Sequence, residues 1–63
     1  MQIFYWTHAV ADRPKQFFIA TIEQNFATEV PPHEVGPNML LSLLSDGFIE
    51  VSADTAAKMG LPT

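Results

Sequence analysis

The sequence predicts a small α+β domain, and three stretches carry that prediction. Residues 2–8, Gln-Ile-Phe-Tyr-Trp-Thr-His, are β-branched or aromatic almost throughout, which suits a strand. Residues 37–45 hold Met39, Leu40, Leu41, Leu43 and Leu44 at helical spacing and run into the stop signal Asp46-Gly47. Residues 48–59 then read as a second strand followed by a short alanine-rich helix. The expected order in a single domain over residues 1–63 is strand, helix, helix, strand, helix. Its sheet would have two strands and be open to completion by a second chain, because two strands alone are marginal in water.

In the first strand, alternation puts Ile3, Tyr5 and Thr7 on one face and Phe4, Trp6 and His8 on the other, so both faces are apolar. Asp12-Arg13-Pro14 has the form of a helix start. From Pro14 to Ala27, Phe18, Ile22 and Phe26 recur at i, i+4 and i+8, which favours an amphipathic helix. The run Phe17-Phe18-Ile19-Ala20-Thr21-Ile22 is also rich in strand formers. The alternative is therefore an N-terminal β-hairpin turning at residues 11–15, followed by helix, strand and helix. Residues 30–37 contain three prolines and a glycine, which excludes a helix or a central strand there.

Pro37 or Asn38 opens the next helix, with Leu40, Leu43 and Leu44 as its buried stripe, widened by Met39 and Leu41. Gly47 takes the left-handed cap position. Phe48 to Ser52 forms the second strand, Ser52 caps a helix over Ala53–Met59, and Gly60 and Pro62 end it.

A chain of 63 residues, 48% hydrophobic and 16% charged, has the composition of a folded domain with a small stability margin. There is no cysteine to staple it. No basic region precedes an apolar run at the N-terminus and no long apolar run occurs, so neither a signal peptide nor a membrane span is expected, and the cytoplasm is the expected compartment. Seven acids against three bases give a net charge of −4. Three bases supply few phosphate contacts, so direct nucleic-acid binding is not expected; an acidic surface suits a basic partner, including a surface that normally holds nucleic acid.

Little in the sequence supports chemistry. His8 and His33 are the only imidazoles, and neither has a ligand partner at i+3 or i+4, so no metal site is expected. Ser42, Ser45 and Ser52 lack a local base, and no glycine-rich phosphate loop is present, so neither catalytic residues nor a cofactor are expected. The aromatic strand points instead to recognition. Phe4, Tyr5 and Trp6 are hot-spot residue types and are the expected anchor of a partner surface, with Glu50 and Asp54 as its acidic rim.

Residues 38–52, Asn-Met-Leu-Leu-Ser-Leu-Leu-Ser-Asp-Gly-Phe-Ile-Glu-Val-Ser, resemble the helix-to-wing passage of winged-helix regulators. Residues 49–61, Ile-Glu-Val-Ser-Ala-Asp-Thr-Ala-Ala-Lys-Met-Gly-Leu, are similar to the opening of an excisionase-type helix-turn-helix. Asn38 to Ser45 lacks the basic side chains of a groove reader, so the resemblance implies a packing unit reused without DNA reading. In size and acidity the chain is also similar to small phage-encoded inhibitors, anti-CRISPR proteins among them, which act by occupying a surface of a larger host complex. The expected function is a non-catalytic interaction module docking an apolar, acid-rimmed surface on another protein, as a homo-oligomer or in a hetero-complex. The alternative is a winged-helix-like or truncated helix-turn-helix regulator that binds DNA only as a dimer.

Overall fold

The computed structural model describes residues 1–63. The chain forms β1 (Gln2–Trp6), β2 (Phe17–Thr21), β3 (Phe26–Val30), a 3-10 turn (Pro32–Glu34), α1 (Pro37–Ser45), β4 (Ile49–Glu50) and α2 (Ala53–Lys58). The class is α+β, but the sheet has four strands, in the order β3-β2-β1-β4. β1 and β2 pair antiparallel, as do β2 and β3, while β4 lies parallel to β1. No helix is long and apolar enough to cross a membrane.

The expected helix over Pro14–Ala27 is replaced by a hairpin. β2 pairs with all of β1, from Gln2 opposite Thr21 to Trp6 opposite Phe17. As a strand, Phe17, Ile19 and Thr21 fall on one face and Phe18 and Ala20 on the other. A helix would have gathered Phe18, Ile22 and Phe26 but left the backbone of β1 with only the two-residue β4 as a partner. Ladder bonds along five residues decide in favour of the strand. Asp12-Arg13-Pro14 therefore starts no helix. Val10 and Arg13 bridge each other, each N–H donating to the other's carbonyl, and Ala11-Asp12 is the turn between them. Thr7 fastens the base of this loop: its N–H donates to the Gln16 carbonyl and its Oγ1 accepts from the Gln16 N–H, both at 2.8 Å.

Two apolar layers sit on opposite sides of the sheet. Ile3, Tyr5, Phe18 and Ala20 pack under α2 and the C-terminal tail with Ala56 and Leu61. Phe4 and Phe17 pack under α1 with Leu43, joined by the half-buried Trp6, Ile19, Met39, Leu40 and Phe48. β1 is thus central and covered on both faces, which is why its sequence is apolar on both.

Both helices end in the same way. Gly47 and Gly60 take left-handed backbone conformations, at φ 88° and 80°. After α1, the Phe48 N–H donates to the Leu43 carbonyl and the Gly47 N–H to the Leu44 carbonyl; after α2, Leu61 donates to Ala56 and Gly60 to Ala57. This is the Schellman arrangement, and in each case the residue after the glycine returns to the core its helix covers. Ser52 caps α2 from the other end, its Oγ accepting from the Thr55 N–H at 3.1 Å.

A Cβ added at Gly47 or Gly60 would meet nothing within 4 Å, so Gly47→Ala and Gly60→Ala isolate the backbone strain. Each is expected to cost about 1–2 kcal/mol, lowering the urea midpoint with an unchanged slope.

Candidate interaction surface

The five residues expected to form a partner surface do not come together. Phe4 and Tyr5 are core residues, at 2% and 0% exposure, and neither is available as an anchor. The physical reason is the position of β1: a central strand with a helix on each side gives up both faces to the interior. Phe4 packs on Phe17 with ring centroids 5.8 Å apart, and Tyr5 stacks on Phe18 at 5.4 Å. The Tyr5 hydroxyl donates to the Pro62 carbonyl at 2.7 Å, tying the tail over its face. Trp6 alone reaches the surface. Its indole meets the Phe17 ring edge-on at 4.9 Å, and the Lys15 ammonium lies 4.6 Å from its centroid. Glu50 is exposed on β4, and its pairing with Phe4 places it on the α1 side. Asp54 lies in the first turn of α2, on the opposite side, 3.0 Å from His8 Nε2.

The outer face of α1 has the character that β1 was expected to supply. Residues 37–45 contain no charged side chain. Only Leu43 is buried, Met39 and Leu40 are half-buried, and Leu41 and Leu44 stand 62% and 53% exposed. The expected stripe therefore lacks Leu44, and Leu41 lies outside it. One helix packed on a sheet buries roughly a third of its circumference, and five apolar residues in nine exceed that. The absence of charge across a whole exposed helix was the sequence signal for this surface.

Acids surround it. Glu34 lies in the 3-10 turn that leads into α1, Asp46 caps its C-terminus, and Glu50 lies on β4 on the same side of the sheet; all three are exposed. Asp46 sits at the negative end of the helix dipole with no basic residue in the last turn, an unfavourable place for a carboxylate. Its location there follows from no stabilising contact of its side chain.

The histidines remain apart from one another. His8 faces Asp54, and His33 Nε2 lies 3.8 Å from the neighbouring Glu34 carboxylate. No group of three His, Asp or Glu side chains converges. No pocket indents the surface. The two helices of the winged-helix-like and excisionase-like passages do form, α1 leading into β4 and β4 into α2, but the sheet separates them. No protein-family model matches the chain, and no curated protein or solved structure is significantly similar to it.

Burial pushes the phenol of Tyr5 above its ordinary value of 10.0. Above about pH 10 the unfolded chain then holds fewer protons than the folded one. The contribution of Tyr5 is therefore complete below pH 10 and is lost as pH rises through the folded value. Tyr5 is the only tyrosine, so ultraviolet titration of the phenolate reports it alone. Tyr5→Phe is expected to cost about 1 kcal/mol at neutral pH, through the Pro62 bond, and to flatten the alkaline loss of stability measured by urea unfolding.

Proposed function

We propose that this protein is a small, non-catalytic interaction module that docks the outer face of α1 on another protein. The observation that carries this reading is the uncharged α1, with Leu41 and Leu44 more than half exposed. Paired leucines at i and i+3 form the kind of ridge that a hydrophobic groove receives. Glu34, Asp46 and Glu50 form the acidic rim, so the partner is apolar at the centre of the contact and basic around it. A surface that otherwise holds nucleic acid has that charge, and covering it is how such a module would inhibit a larger complex, in the manner of the small phage-encoded inhibitors the chain resembles in size and acidity.

The unfavourable position of Asp46 supports the rim. A carboxylate that opposes its own helix dipole gains a favourable partner when a basic surface docks there.

The double variant Leu41→Lys/Leu44→Lys keeps helix-forming side chains at both positions and places a cation in the last turn of α1. It is expected to remain within about 1 kcal/mol of the parent stability and to lose binding by about thirtyfold or more, the value of a hot-spot pair. The check is capture from native lysate by parent and variant side by side, followed by affinity measurement on the protein captured. A partner held equally by both chains would overturn the reading.

A further inference from the structure

The sheet has two edges of different kinds. β4 is two residues long, and the chain leaves it through Val51 and Ser52 into α2. β3 is five residues long, and no strand lies outside it. The ladder determines which of its backbone groups point outward. Thr7 N–H donates to Gln16 and Ile22 N–H donates to Met1, so the even-numbered residues of β2 bond toward β1. Phe17, Ile19 and Thr21 therefore bond toward β3, opposite Val30, Thr28 and Phe26. Ala27 and Glu29 are left with their N–H and C=O directed away from the sheet, and no turn or loop hydrogen bond of the chain uses them. The strand has little of the usual edge protection: Glu29 is its one charged residue, and it has no lysine, no proline and no bulge in its register.

We propose that this edge pairs antiparallel with the same edge of a second copy, about a two-fold axis at Thr28. In that register Ala27 of each copy faces Glu29 of the other, and each pair exchanges both of its backbone bonds. Every outward N–H and C=O of β3 between Phe26 and Val30 is then satisfied.

The side chains select this register over its neighbours. On the α1 face, Phe26 lies opposite Val30 of the second copy. Phe26 is 59% exposed in the single chain, and Val30 is half-buried against the core under α1. The pairing therefore covers the largest exposed ring of the molecule by continuing that core across the axis. On the α2 face, Glu29 lies opposite Ala27 rather than its own symmetry mate, and its carboxylate accepts from Gln16 Nε2 at 3.0 Å. A register centred on Glu29 would set two carboxylates against each other. One centred on Ala27 would place Phe26 opposite Thr28 and forfeit the apolar pair. The result is a continuous sheet with both copies of α1 on one side. The edge is separate from the outer face of α1, so a dimer would present two docking surfaces side by side.

The test is sedimentation equilibrium of the full chain over a dilution series reaching about 1 mM, because an interface this small binds weakly. The mass is expected to rise from 7.0 kDa toward twice that value. Ala27→Pro removes an outward N–H and no bond to β2, and Thr28→Lys brings two ammonium groups face to face; both variants are expected to stay at the mass of one chain. Amide exchange of the unmodified chain reads the same event without substitution: Ala27 and Glu29 should gain protection with concentration. The Leu41→Lys/Leu44→Lys chain retains this edge and should dimerise like its parent, so the two readings fail separately. A mass of one chain at every concentration, a dimer that either variant retains, or exchange at Ala27 and Glu29 that does not depend on concentration would overturn the proposal.

Discussion

The structure depends on the pairing of β1 with β2 at the centre of the sheet. β1 is apolar on both faces, and a strand of that kind is stable only when both faces are covered. Pairing with β2 enlarges the apolar surface on each side, adding Phe17 and Ile19 to one and Phe18 and Ala20 to the other. Two covers are then required, and a chain of 63 residues has little with which to build them. It uses one helix of nine residues, one of six and a three-residue tail.

Economy of this sort explains the repeated ending of the two helices. Each helix is too short to cover its face alone. The Schellman turn at Gly47 or Gly60 reverses the chain at once and sends Phe48 or Leu61 back onto the core just covered. On the α2 side the Tyr5–Pro62 hydrogen bond holds the tail in place, and the Arg13 guanidinium donates to the Thr63 carbonyl at 2.9 Å. The accessible area of 4190 Å² matches the roughly 4,000 Å² of a compact protein of this mass. What the chain cannot bury is displaced outward, to Leu41 and Leu44 on the far side of α1, to Phe26 on the edge strand, and to Met1, Val10, Ile49 and Met59 elsewhere. The surfaces proposed for docking and for pairing are in this sense part of the remainder left by a two-sided sheet in a short chain.

Local signals in the sequence identified the parts whose structure is determined locally. β1, the opening of α1 at Pro37, the stop at Gly47, the Ser52 cap and the stop at Gly60 all follow from the residues present. The stretch from Pro14 to Val30 did not, because two periodicities fit it. Phe18, Ile22 and Phe26 satisfy a helix, while Phe17 to Thr21 satisfies a strand, and the choice rests on the need of β1 for a long-range partner. β3 was harder still. As an edge strand its Phe26, Thr28 and Glu29 are exposed, so the alternation that marks a buried strand is weak. Two residues of the expected anchor are buried, and the sequence hid this for a related reason. Hot-spot residue types at Phe4 and Tyr5 are also core residue types, and only the number of strands beside them decides which they are. The uncharged α1 was visible throughout, but its excess over what one helix face can bury becomes plain only once the sheet beneath it is known.

Hydroxyl-radical footprinting of the free protein in dilute solution tests this account most directly, because it reads side-chain exposure residue by residue. Phe4, Tyr5 and Phe17 are intrinsically reactive but should label slowly, while Leu41, Leu44 and Phe26 label readily; in the unfolded chain the four aromatic residues would all outpace the two leucines. Rapid labelling of Phe4 and Tyr5 in the folded protein, with Leu41 and Leu44 protected, would mean that β1 is not covered on both faces and that the surface assigned to α1 belongs to the aromatic strand instead.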